Sequence, residues 1–112
     1  MSKISFEGIG SVMATCQAEE GVVGGQVVMM TGNGTVAPCV EEAGFCGVAM
    51  EPRAGITGVQ FKGFMTVPYT GELYAGWTRL KANGIGGVKE AENGMSALVV
   101  SVNDDGTAVI CL

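Results

Sequence analysis

Glycine punctuation limits what this chain can fold into more than any other feature of its sequence. The 112 residues include 19 glycines, more than twice the average usage, with no collagen period. They recur every few residues between short segments rich in Val, Ile, Thr and aromatic residues, the pattern of short strands joined by tight turns. Five turn signals stand out: Gly24-Gly25, Thr31-Gly32-Asn33-Gly34, Asn83-Gly84, Asn93-Gly94 and Asn103-Asp104-Asp105-Gly106. Each supplies a residue that tolerates positive φ, as primed hairpin turns require.

Strands are therefore expected at residues 26–30, 35–37, 45–50, 56–61, 64–69, 77–82, 87–89, 96–102 and 107–112. The last two, joined by the Asn-Asp-Asp-Gly turn, form the clearest hairpin. Residues 16–21 have a weak helical look and are too short to count for much. In the final strand Val109 and Cys111 point one way and Ala108, Ile110 and Leu112 the other; in the strand before it Val99 opposes Leu98, Val100 and Val102. Both are apolar on two faces, whereas a lone antiparallel sheet has one wet face. The expected fold is all-β: a small Gly-rich β-barrel or sandwich of short antiparallel strands with an N-terminal arm. Its outer face would be covered by the N-terminal segment or by a second subunit.

Residues 1–20 read as an arm or a first strand, and residues 21–112 as a single β-barrel domain. No linker divides the chain and no internal repeat is evident. With 47% hydrophobic and 15% charged residues, the composition excludes a disordered chain. No apolar run reaches the roughly 20 residues of a membrane-spanning helix, and the start lacks the apolar stretch of a signal peptide. Synthesis in the cytosol is expected. The net charge is −5, with six basic residues dispersed along the chain. Nucleic acid and anionic membranes, which need clustered Lys and Arg, are poor partners.

The residues also argue against an enzyme. The chain has no His, so the commonest general base and every Ser-His or Cys-His arrangement are missing. Cys16, Cys39, Cys46 and Cys111 contain no C-x-x-C pair and read as small buried hydrophobes, so no metal site and no cofactor are expected. The paired carboxylates Glu19-Glu20, Glu41-Glu42 and Glu90 with Glu92 sit beside glycine-rich turns, the usual place for solvated charge. Gly32-Asn33-Gly34 and Gly84-Ile85-Gly86-Gly87 open no helix and lack the Lys-Ser/Thr of a phosphate loop. Tyr69, Tyr74 and Trp77 fall within nine residues. They read either as plugs for one end of a barrel or as surface anchors.

Several stretches taken together resemble a known family. They are residues 20–28 (Glu20-Gly21-Val22-Val23 leading into Gly24-Gly25-Gln26-Val27-Val28), Gly34-Thr35-Val36-Ala37-Pro38, Phe45-Cys46-Gly47-Val48-Ala49, and residues 58–67 with Gly58-Val59 and Gly63-Phe64. This order resembles the small β-barrel proteins encoded beside capsid genes in bacteriophages and prophages, which decorate or stabilise the head. The similarity covers residues 20–112. It implies a non-enzymatic protein that docks on the outside of an assembled capsid, with the major capsid protein as partner and the virion surface as final location. It also implies a homo-oligomer, often a trimer. The four cysteines and seven methionines are not part of that pattern.

Partner contacts are expected from Ile4, Phe6, Ile9, Val12 and Met13 in the N-terminal segment and from Tyr69, Tyr74 and Trp77. Deleting residues 2–16 is expected to weaken partner binding and leave a folded protein. The alternative reading is a bacterial β-barrel module that recognises a peptide or small ligand near Tyr69, Tyr74 and Trp77.

Overall fold

The computed structural model describes residues 11–112, and the ten strands found there divide into two sheets. Strands β1 (Val12–Ala18), β2 (Val27–Gly32), β3 (Thr35–Pro38), β4 (Gly47–Ala49) and β5 (Ile56–Lys62) close into a barrel in the order β1-β3-β2-β4-β5. Strands β6 (Phe64–Pro68), β7 (Gly76–Ala82), β8 (Val88–Glu90), β9 (Met95–Val102) and β10 (Thr107–Cys111) form a second sheet, ordered β6-β10-β9-β7-β8. The fold is all-β, and no helix occurs among the described residues.

The turn chemistry acts where the sequence places it. Gly34 (φ 65) turns β2 into β3 and Gly106 (φ 86) turns β9 into β10, a backbone region open to glycine at little cost. In the second of these turns the Asn103 N–H donates to the Thr107 carbonyl at 2.9 Å. The Asp105 carboxylate accepts both the Thr107 N–H at 3.1 Å and its hydroxyl at 2.6 Å.

Two expectations are corrected at the N-terminal end. Residues 12–18 are a full barrel strand, antiparallel to β5 from Val12↔Lys62 to Gln17↔Ile56 and parallel to β3 at Gln17↔Thr35 and Ala18↔Val36. The barrel is therefore not purely antiparallel. Deleting residues 2–16 would strip β5 of most of its partner, so that change cannot be expected to spare the fold. The weak helical look of residues 16–21 is not realised either, because Cys16, Gln17 and Ala18 end β1. No periodic signal marks the strand there, because Val12, Met13, Ala14 and Thr15 are all exposed.

Two apolar clusters hold the domain together. One fills the barrel with Cys16, Val22, Val28, Val36, Ala49 and Val59. The other lies where the second sheet packs on the barrel: Val27, Cys39 and Phe45 from the barrel side meet Met65, Val67, Leu80, Val88, Val99 and Ile110 from the sheet. Full burial of side chains such as Phe45, Leu80 and Ile110 contributes about 1.5–3 kcal/mol each. The barrel itself thus covers one face of β9 and β10. A bulge between Val109 and Ile110 pairs Ile110 with Val99 but Val109 with Ser101, which makes Val100 the extra residue. Val102 is thereby brought to the covered face, where it packs on the core, on the side of Val99 rather than opposite it.

Candidate functional site

The opposite face of the second sheet is the most distinctive surface of the molecule. Leu98 is the cross-strand partner of Trp77 on β7 and of Cys111 on β10, and Cys111 in turn pairs with Phe64 on β6. Pairing register therefore aligns Trp77, Leu98, Cys111 and Phe64 in one row across four strands. Trp77 is 76% exposed and Phe64 37%, while Leu98, Val100 and Cys111 are half-buried. The neighbouring positions on this face are Thr66, Ser96, Ser101, Thr107 and the buried Val109, with Arg79 and Lys81 at the β7 side. Carboxylates enter only at the β8 edge, where β8 carries Glu90 and Glu42 lies 3.6 Å from Lys81.

The predicted aromatic residues are not brought together. Tyr69 follows β6, donates its N–H to the Gly106 carbonyl at 3.0 Å and packs on the core. Tyr74 is 70% exposed in the connection to β7, and its hydroxyl donates to Glu72 at 3.2 Å. Trp77 points outward from β7. The residue of this stretch buried within the core cluster is Leu73, with Tyr69 packed against it. Tyr74 and Trp77 do not plug a barrel end, and none of the depressions lined by Thr78 and Glu92, by Thr70 and Lys89, or by Met50 and Ile56 includes any of the three aromatics. Of the N-terminal candidates, Val12 and Met13 are exposed on β1; Ile4, Phe6 and Ile9 lie outside the described residues.

A second apolar patch was missed at the sequence level. On the barrel's outside Met13, Met50 and Ile56 surround Gly58, whose position lies so near the Met50 thioether that a Cβ there would sit 3.3 Å from the sulfur and 3.8 Å from the Met13 methyl carbon. All three side chains are about half exposed. Flexible thioethers give an adaptable contact surface; seven methionines in so short a chain were the signal available.

Four charged side chains at the β7–β8 edge are occupied by one another. Lys89 Nζ donates to Glu41 at 2.9 Å and to Glu42 at 2.5 Å, and Lys81 lies 3.6 Å from Glu42. These contacts tie the connection between β3 and β4 to β7 and β8. The Lys89 ammonium holds the Glu42 carboxyl below its usual range, and the two carboxylates hold the Lys89 ammonium above its own. Glu90 accepts from the Thr78 hydroxyl at 2.6 Å. Burial, with Cys46 as a lesser cause, pushes the Cys39 thiol up to about 11. Burial likewise raises the Cys46 thiol. Neither has the depressed pKa of a nucleophilic cysteine. All four cysteines are free thiols.

No protein-family model matches this sequence, and no curated protein matches it. Among solved structures, the N base of the head fiber protein gp8.5 of bacteriophage phi29 has the same fold, with a TM-score of 0.67 and 15% identity over 91% of this chain and 93% of that one. The barrel and the second sheet are therefore shared as a unit, at a sequence distance where the fold is what carries over.

Proposed function

We propose that this chain is a non-enzymatic structural protein of a phage or prophage head, which docks on the outside of the shell and stabilises it. The observation that carries this reading is the likeness to the head fiber base, which spans nearly the whole of both chains. The sequence supports it independently through its resemblance to capsid-decorating β-barrels over residues 20–112. The proposed partner is the major capsid protein, and the proposed final location is the virion surface.

The physical design suits such a role. A shell presents many identical sites, so modest binding energy per copy suffices once the docking unit is itself a homo-oligomer. Exposed Val12 and Met13 on β1, with Met50 and Ile56 beside them, offer an apolar patch for a shell protein. The rival reading, a module that grips a peptide or small ligand among Tyr69, Tyr74 and Trp77, has less support. These residues share no cleft, one being core-packed and two projecting separately.

Co-sedimentation tests the proposal. The purified chain is mixed with DNA-free shells assembled from the major capsid protein of the genome that encodes it. Saturable binding in a fixed ratio to the capsid subunit is expected, together with a higher melting temperature of the shells. A chain that stays in the supernatant at every concentration overturns the reading.

A further inference from the structure

We infer that Asn33, at the tip of the β2–β3 hairpin, is the chain's site of spontaneous deamidation, and that its isomerised product loosens the seam between β1 and β3. This is independent of docking on a shell, since water is the only co-reactant.

Three Asn-Gly pairs occur in the sequence: Asn33-Gly34, Asn83-Gly84 and Asn93-Gly94. In such a pair the Gly nitrogen can attack the Asn side-chain Cγ, because no Cβ on the Gly hinders it. The N–H proton passes to solvent and the N–Cγ bond forms. The Cγ–Nδ2 bond breaks, and the leaving nitrogen takes up a proton and departs as ammonia. Water then opens the cyclic imide at either carbonyl, giving Asp or isoaspartate. The reaction needs a mobile side-chain amide and an unengaged Gly N–H, and the fold grants these unequally.

At Asn83 the amide is held. Its Oδ1 accepts the Ile85 and Gly87 N–H groups, each at 3.0 Å, and its Nδ2 donates to the Thr70 hydroxyl at 3.2 Å. Turning toward Gly84 breaks these bonds and leaves their partners unpaired. At Asn93 the attacking group is held instead. The Gly94 N–H donates to the Ala91 carbonyl at 3.0 Å. Gly94 is also wedged against Leu80, where a Cβ would lie 2.5 Å from the carbonyl oxygen. Asn33 and Gly34 are both exposed, and a Cβ on Gly34 would meet nothing within 4 Å. Among the described residues, neither the Asn33 side-chain amide nor the Gly34 N–H has a hydrogen-bond partner. An exposed hairpin tip of this kind opens locally at little cost.

The position gives the modification a consequence. The Gly34 carbonyl accepts the Gln17 N–H at 2.8 Å. The seam that closes the barrel between β1 and β3 has only two register pairs, Gln17↔Thr35 and Ala18↔Val36. An isoaspartyl linkage runs the main chain through Cβ and Cγ of residue 33 and so lengthens this turn by one methylene. Gly34 and Thr35 are then displaced from Gln17. The new carboxylate also arises two residues from Thr31, whose hydroxyl donates to the Glu19 carboxylate, so like charges gather at the end of the seam.

Ageing the full chain at pH 8 and 37 °C, followed by peptide mass spectrometry, tests the inference. Arg53, Lys81 and Lys89 put the three pairs in separate tryptic peptides, and fragment spectra place each change. The mass gain of an amide turned to an acid should accumulate at Asn33 at least tenfold faster than at Asn83 or Asn93. Part of it should be isoaspartate, read by methyl uptake from an isoaspartyl methyltransferase. In urea the three should change at similar rates, because the ranking comes from the fold. Aged wild type should melt several degrees below fresh wild type, whereas Asn33→Ser should keep its melt through the same ageing. Asn33 changing no faster than the other two, a ranking that survives in urea, or an aged wild type that melts like aged Asn33→Ser overturns the inference.

Discussion

The α-carbon of Gly47 on β4 lies directly against the carbonyl group of Gln60 on β5, with no room between them for a side chain. Val48, next along the strand, is the register partner of that same Gln60. The close approach closes the barrel at its shortest strand. Gly47→Ala forces a methyl into backbone that cannot rotate away, and a cost of about 2–3 kcal/mol is expected, in the range of overpacked cores. At about 4–8 °C per kcal/mol for a domain near this size, a thermal melt of the variant should fall by more than 8 °C. An unchanged melt would mean that β4 and β5 separate easily.

Leu73 and Tyr74 are adjacent yet opposite in role. Leu73 is buried in the central cluster, and Tyr74 is 70% exposed. Leu73→Ala should cost about 2–4 kcal/mol through lost burial and a residual cavity. Tyr74→Ala should stay within about 0.5 kcal/mol, as exposed changes usually do. Chemical denaturation of both variants beside the wild type measures the difference.

How much of this was legible beforehand differs along the chain. Every strand from β2 to β10 was visible, because Asn-Gly, Gly-Gly and Asp-Gly turns bracket alternating or β-branched runs. β1 was ambiguous because its outward-facing stretch 12–15 shows no alternation, and its pairing with the distant β5 leaves no local mark. The division into a barrel and a second sheet was also hidden. Only long-range register decides that β10 turns back to β6 rather than joining the barrel. Clustering in sequence likewise misled for the aromatics. Alternation along β7 sends Trp77 outward, while Tyr69, on a separate element, packs inward.

The Lys89–Glu42 ion pair and the hydrogen bonds to Asp105 give stability a defined pH dependence. Glu42 and Asp105 have folded pKa values lowered from their ordinary 4.5 and 3.8, Glu42 chiefly by the hydrogen bond from Lys89 and Asp105 chiefly by that from Thr107. A depressed carboxyl contributes stability that is complete above its ordinary pKa and is lost as pH falls through the folded one. Lys89 is raised above 10.5, chiefly by its hydrogen bond to Glu42, so its share is complete below 10.5 and is lost as pH rises through the higher folded value. Urea midpoints should therefore be flat near neutrality and decline below pH 4.5. The gap between the wild type and Glu42→Gln should shrink over that acid range. A constant gap down to pH 2 would contradict the assignment.

The thiols should be slow. Cys16 and Cys39 are buried, Cys46 and Cys111 half-buried, and burial raises the Cys39 thiol to about 11. Since the thiolate is the reacting form, iodoacetamide at pH 8 should modify Cys39 far more slowly in the folded chain than in urea. Mass spectrometry of the peptides reports the order. Rapid modification of Cys39 in the folded protein would contradict its placement in the core.

Removing residues 2–16 takes away Val12 to Cys16 of β1 and with them most of the pairing to β5. The truncated chain should lose its cooperative thermal transition, whereas removal of residues 2–10 should keep it. A cooperative melt for the longer deletion would show that the barrel closes without β1.

Electron cryomicroscopy of heads produced with and without this chain tests the proposed place at the head surface most directly. Additional density is expected outside the shell at regularly repeated lattice positions, fitted by the barrel and its second sheet, and absent when the chain is deleted. Heads identical in the two preparations would contradict it.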